Sequence, residues 1–241
     1  MKVLSIGNSF SEDSHKWLTK LSHTQGEDIQ TVNLFIGGCL LELHWTNWVE
    51  NRKDYDLQIN GEDQHEKISL LEALEYDTFD VVTLQQGSRH SGVPESYFPY
   101  INDLYEVVCQ KQPQAKVYFH QTWAYEIDSD HDAFEIYNHS QKEMYDGIVI
   151  SSEKAAKAID VDIIPCGKVI QTLRDTVPEF DYKNGGLSLC RDGFHLSENY
   201  GRFAAAITWY HTLTGKKITL TEFENFDTGL IQKIIKIAES I

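Results

Sequence analysis

Residues 2–11 read KVLSIGNSFS, and the class of fold follows from how that stretch divides. Residues 2–6 have the apolar, β-branched make-up of a buried strand, and Gly7-Asn8-Ser9 turns the chain before a polar, helix-like segment. A hydroxyl is thereby presented at the carboxyl end of a first strand. In open α/β sheets that end is where ligands bind, because helices cover both faces and leave a crevice beyond the strand ends. Ser9 is therefore a candidate nucleophile. The competing reading is that Ser9 or Ser11 caps the following helix.

Outward from that stretch the same unit repeats. Glu12 and Asp13 suit the positive end of a helix, Trp17, Leu18 and Leu21 give it an apolar stripe, and Gly26 ends it. Residues 31–36 read as a second strand closed by Gly37-Gly38, and residues 40–49 as a second helix, so two strand-helix units point to a parallel sheet. Residues 55–69 break the rhythm: Tyr55, Leu57 and Ile59 alternate with polar residues and Asn60-Gly61 is a two-residue hairpin turn, which predicts a small β-ribbon. Further strands are expected at 79–84, 116–120 and 161–164, and helices at 70–74, 100–110, 133–159, after Ser197 and at 230–238.

Composition narrows the function. A chain of 241 residues that is 41% hydrophobic buries a sizeable core, and a single domain over residues 1–241 accounts for it. Its net charge of −16 argues against nucleic acid or an anionic membrane as partner and mildly favours a neutral substrate. No run approaches the roughly 18 apolar residues of a membrane helix. Met1 leads directly into the first strand, so the chain as it stands reads as cytoplasmic, with a periplasmic or secreted location open if a leader has been removed. Cys39, Cys109, Cys166 and Cys190 are widely spaced with no C-x-x-C pair, which predicts free thiols and no zinc site.

A serine nucleophile needs a base within hydrogen-bond reach and a carboxylate to orient that base. Asp192-Gly193-Phe194-His195 is a D-x-x-H that can set a carboxylate beside an imidazole within one turn of chain. An oxyanion hole needs donors aimed at the developing negative charge. The Ser9 backbone N–H, the unhindered N–H of Gly38 after strand two and the side-chain amide of Gln86 after strand three are the candidates, all at carboxyl ends of predicted strands.

Taken in order, Gly7-Asn8-Ser9, the glycine block after strand two, a third block after strand three and the closing D-x-x-H resemble the four marks of the SGNH, or GDSL-like, hydrolases. GNSFSED, IGGCLLELHW and HQTWAY also look like a bacterial subgroup whose substrates are poorly defined, near the carbohydrate and sialate acetylesterase branches. The third block departs from the usual G-x-N-D: Gln85-Gln86-Gly87-Ser88 partly matches the Q-G-E of those acetylesterases, with Ser88 in place of Glu. The resemblance implies a three-layer α/β/α sandwich with a five-stranded parallel sheet in the order 2-1-3-4-5 and a ribbon insertion at about 54–69. It implies a serine esterase with Ser9 as nucleophile, His195 as base, Asp192 as its orienting carboxylate, and Ser9, Gly38 and Gln86 as the oxyanion hole. Such an enzyme needs neither metal nor cofactor.

The expected partner is a small-molecule or carbohydrate ester, above all an O-acetyl group on a carbohydrate. A longer-chain acyl esterase or thioesterase and a non-catalytic carbohydrate-binding protein on the same fold are the alternatives. Trp45, Trp123 and Tyr125 are candidates for a sugar-stacking wall, with core packing the competing reading. His44, Arg89, His90 and His120 are candidates to line the pocket, Arg89 by reading an acid group. Asp128-Ser129-Asp130-His131-Asp132 imitates the start of a calcium loop, but Ala133 stands at the turn glycine and His139 at the closing Glu.

Overall fold

The computed structural model describes residues 1–241. Strand β1 (Lys2–Ile6) is central, paired in parallel with β2 (Gln30–Phe35) on one side and β5 (Val81–Leu84) on the other. Parallel pairing continues through β6 (Lys116–His120) to β7 (Asp162–Ile164). The hairpin β3 (Tyr55–Ile59) and β4 (Glu62–Ile68) turns on Asn60-Gly61, both with positive φ as a two-residue turn of this kind requires. It does not stand apart as an insertion. β3 pairs antiparallel with β2, so the sheet has seven strands in the order β4-β3-β2-β1-β5-β6-β7, not the five expected. The reason is that β2 would otherwise leave an open edge; the hairpin covers it, and β4 closes the sheet with a charged strand, EDQHEKI, that discourages further pairing.

Period-two alternation sends each strand's side chains to two separate cores. Val3, Val81 and Tyr118 face one layer, Leu4, Ile6, Val82 and Phe119 the other. The first core receives α1 (Ser9–His15) and α2 (Leu18–Thr24), and the second receives α3 (Leu41–Val49), α4 (Leu70–Tyr76) and α5 (Tyr100–Lys111). Helix α6 (Gln141–Ala158) crosses between them, giving Met144 and Ile148 to the first core and Ala155 and Ala156 to the second. Helices α7 (Cys166–Thr176), α8 (Tyr200–Thr214) and α9 (Thr228–Ala238) complete the first layer.

Two expected helices are broken. The one before Gly26 divides into α1 and α2 at Lys16-Trp17. The one expected over 133–159 is a 3-10 turn (Asp132–Tyr137), then Asn138 and His139 at positive φ, then α6 capped by the Ser140 hydroxyl. No helix is long and apolar enough to cross a membrane.

Candidate active site

The turn that ends β1 is built for a helix to start at Ser9. The Asn8 side chain accepts the Phe10 N–H at 2.9 Å, and the Ser11 hydroxyl accepts the Asn8 N–H at 3.0 Å. Asn8 is thus the cap, which leaves the Ser9 hydroxyl unused by the backbone. Gly7 is required beside it: a Cβ there would lie 2.1 Å from Ser11 Oγ.

Ser9 Oγ lies 2.9 Å from His195 Nε2, and His195 Nδ1 lies 2.7 Å from Asp192 Oδ2. The other Asp192 oxygen accepts the backbone N–H groups of His195 at 2.8 Å and Phe194 at 3.2 Å. The D-x-x-H segment is therefore a tight loop wrapped on its own carboxylate. Burial pushes the Asp192 carboxyl up, but the hydrogen bonds from the His195 ring and the two amides outweigh it and hold it below the ordinary carboxylate value. An ionised acceptor at Nδ1 keeps the Nδ1–H tautomer and turns the Nε2 lone pair to Ser9.

The loop is fastened to the helix that begins at Ser9 by Asp13, which is fully buried. Its Oδ2 accepts the Leu196 N–H at 2.7 Å, and its Oδ1 accepts from Arg202 Nε at 2.7 Å and Arg191 Nη1 at 2.9 Å. Arg191 also donates to the Leu196 carbonyl. From the sequence alone Asp13 reads only as a helix-dipole residue; its position four after Ser9, on the same helix face, is the signal that marks it.

Gly38 has φ +65° in a turn closed by Cys39 N–H to Ile36 O at 3.1 Å, a conformation glycine adopts without strain. Asn8 Nδ2 donates to the Cys39 carbonyl at 3.1 Å, so this turn is held to the start of α1. Gln86 is differently placed from the expectation. Its Oε1 accepts the Leu41 and Gly87 N–H groups, each at 2.9 Å, and its Nε2 donates to Ser96 O and Ser96 Oγ, each at 3.0 Å. All of its hydrogen-bonding capacity toward an oxyanion is engaged by neighbouring loops.

The structure also relocates the expected pocket residues. His120, Trp123 and Tyr125 are fully buried. Trp123 stacks on Phe10 with centroids 4.3 Å apart and donates to the Phe194 carbonyl at 2.8 Å, bracing the residues beside Ser9 and His195 instead of walling a pocket. Tyr125 Oη pairs with Ser88 Oγ at 2.9 Å. His44 is buried in the opposite layer, stacked on Tyr55, and Trp45 packs on that same core. Arg89 is on the surface in an ion pair with Asp132 at 2.8 Å, and Asp128 accepts from Tyr182 Oη at 2.8 Å, so these carboxylates of the calcium-like run have protein partners. His131, read from the sequence only as part of the calcium-like run, lies against Phe194 with ring centroids 4.7 Å apart.

Beside Asp192 a cleft of about 290 Å³ is lined by Glu126, Asp128, Asp130, Tyr182 and Ser188, with Arg191 as its one cation. The four cysteines are unpaired, and burial pushes the thiols of Cys39, Cys166 and Cys190 well up.

This chain is similar to a DUF4886 family protein from Bacteroides uniformis: 32% identity and a TM-score of 0.91, over 100% of this chain and 93% of that one. At lower identity its fold is shared by SGNH and GDSL-like hydrolases. A lipase/acylhydrolase from Enterococcus faecalis superposes with a TM-score of 0.56 at 13% identity, over 91% of this chain and 98% of that one. A variant of an acetyl xylan esterase from Geobacillus stearothermophilus gives 0.56 at 13% identity, over 92% and 97%. No curated protein matches the chain. The model of the family described as "Domain of unknown function (DUF4886)" matches residues 2–231, and the chain belongs to that family.

Proposed function

We propose that this protein is a serine esterase that removes acetyl groups from a carbohydrate through an acyl-enzyme on Ser9. The observation that carries the reading is the hydrogen-bonded chain Ser9–His195–Asp192, with 2.9 Å and 2.7 Å links. His195 Nε2 takes the Ser9 hydroxyl proton as Oγ attacks the acyl carbon, and Asp192 stabilises the imidazolium that forms. The carbonyl oxygen becomes an oxyanion held by backbone donors. Ser9 is the first residue of α1, so its N–H has no carbonyl one turn back within the helix, and Gly38 supplies the second N–H. His195 then returns the proton to the departing alcohol oxygen as the C–O bond breaks. In the second half it draws a proton from water, hydroxide oxygen attacks the acyl carbon, and Ser9 Oγ leaves and is reprotonated by His195.

The substrate class rests on charge and on the surroundings of the loop. A cleft rich in carboxylate acceptors suits the hydroxyl donors of a neutral sugar and repels polyanions, as does the net charge of −16. A fatty acyl chain would want an apolar channel instead.

Turnover of 4-nitrophenyl acetate and of acetylated xylo-oligosaccharides by wild type and Ser9→Ala, with fluorophosphonate labelling, tests the reading. Labelling at Ser9 and loss of turnover in Ser9→Ala are expected. Full turnover by the variant overturns the mechanism, and faster cleavage of octanoyl than acetyl esters overturns the substrate class. Sugar binding by an unlabelled, inactive wild type would mark a binding protein.

A further inference from the structure

Under the strand ends, a buried polar chain leads from β6 to the nucleophile, and neither end of it is needed to satisfy the strands. His120 Nδ1 lies 2.8 Å from Gln85 Oε1; Gln85 Nε2 donates to Asn8 Oδ1 at 2.7 Å; Asn8 directly precedes Ser9. All three side chains are essentially inaccessible to solvent. Their directions are determined from the backbone inward. The Phe10 N–H can only donate, so the atom it meets on Asn8 is the oxygen, and the Cys39 carbonyl can only accept, so the atom it meets is the amide nitrogen. Asn8 Oδ1 must therefore receive the Gln85 amide nitrogen, which turns Gln85 Oε1 to His120. The ring accordingly carries its proton on Nδ1.

We propose that His120 is a positioning residue that acts through Gln85 and Asn8 to set the start of the Ser9 helix against the Gly38 turn. The proposal rests on the esterase reading above. Asn8 is the junction: its oxygen caps α1 at Phe10, and its nitrogen holds Cys39, the residue after Gly38. Its orientation therefore governs the spacing between the two backbone donors, Ser9 N–H and Gly38 N–H. Asn8 can rotate by exchanging its oxygen and nitrogen, which would lose both contacts; Gln85 blocks that exchange only while Gln85 is itself held by a donor. His120 is that donor. The far side of the ring rests beside α1: Nε2 is 3.3 Å from Ser14 Oγ, whose proton goes to the Phe10 carbonyl at 3.0 Å, and the Trp209 ring packs edge-on against the imidazole at 5.0 Å. The imidazole thus acts on the helix through its cap and packs beside its next turn.

The same geometry separates positioning from bulk packing. Asn at position 120 sets its amide nitrogen where Nδ1 stands, whereas Gln reaches toward the place of Nε2. With active sites counted by fluorophosphonate, we expect His120→Asn to keep kcat per site on 4-nitrophenyl acetate within about threefold of wild type. His120→Gln and Gln85→Leu should each lose at least tenfold in kcat with KM within twofold. Equal losses in His120→Asn and His120→Gln, or no loss in Gln85→Leu, would overturn the relay. Nitrogen-15 NMR of the wild type reads the tautomer directly, even if the variants fail to fold. An Nδ1–H signal for His120 is expected, and an Nε2–H tautomer would overturn the relay. A wild type that is neither labelled nor active would instead overturn the esterase reading, and the relay's role with it.

Discussion

Asp13 Oδ2 accepts the Leu196 backbone N–H at 2.7 Å, so the helix that begins at Ser9 grips the residue that follows His195. Ser9 and His195 come from opposite ends of the chain, and this contact, with the Arg191 and Arg202 ion pairs on the same carboxylate, closes the gap between them.

Asp13→Asn keeps one oxygen for Leu196 but turns an amide nitrogen toward two guanidinium groups. Breaking a buried ion pair by removing one partner typically costs about 3–5 kcal/mol. Urea unfolding should register a loss of that order, and kcat per labelled active site should fall at least tenfold. An unchanged kcat per site would mean that the catalytic loop holds its place without the helix.

Trp123→Phe separates bracing from substrate contact. Phe keeps an aromatic ring against Phe10 but loses the Nε1–H bond to the Phe194 carbonyl and, at a fully buried position, leaves a small cavity where the rest of the indole stood. The expected stability loss is about 2–3 kcal/mol, from the lost hydrogen bond and the cavity together. The catalytic loop loosens, so kcat should drop several-fold at constant KM on an acetylated oligosaccharide. A raised KM with kcat intact would return Trp123 to the role of a sugar platform.

Patterns confined to a few neighbouring residues were legible before any coordinates. The strand-turn-serine at residues 2–9, the Asn60-Gly61 hairpin and the one-turn D-x-x-H are of this kind. What depends on partners far along the chain was not. Gln85 and Gln86 are adjacent and chemically identical, yet one faces Asn8 and His120 while the other faces Leu41 and Ser96, because successive side chains leave an extended chain on opposite sides. The hairpin was readable, but its pairing with β2 was not, since backbone edge bonds carry no side-chain signature. His120 and Trp123 combine a polar atom with an aromatic body, a composition that suits a pocket wall and a satisfied core alike.

Gln86→Ala tests the relocation of that amide. Removing it leaves the buried N–H groups of Leu41 and Gly87 without their acceptor, and each such group costs about 1–3 kcal/mol. Thermal and urea unfolding should therefore show a destabilised protein, while kcat per labelled site changes no more than a few-fold. Loss of one true oxyanion donor would instead lower kcat about a hundredfold or more with stability little changed.

Acid should begin to destabilise this protein below about pH 6.5, before its carboxylates are neutralised. Burial lowers His15, His44 and His120 to about 3, helped at His120 by the nearby His15. Between that value and the ordinary 6.5 the unfolded chain binds three protons that the folded chain refuses. Stability therefore rises with pH through this window, is complete above it and is lost as the pH falls. Each histidine contributes about 1.4 kcal/mol per pH unit, so together they impose a slope of about 4 kcal/mol per unit. Against a total stability of about 5–15 kcal/mol, that slope consumes the whole within about one to four pH units below 6.5, so the unfolding midpoint should lie between about pH 3 and pH 5. The lowered Asp192 carboxyl acts in the same sense at still lower pH. Urea titrations from pH 7 to pH 5 measure the slope, and His44→Asn, in the layer opposite α1, should remove about a third of it. A slope unchanged by that substitution would mean that His44 is not refusing its proton in the folded state.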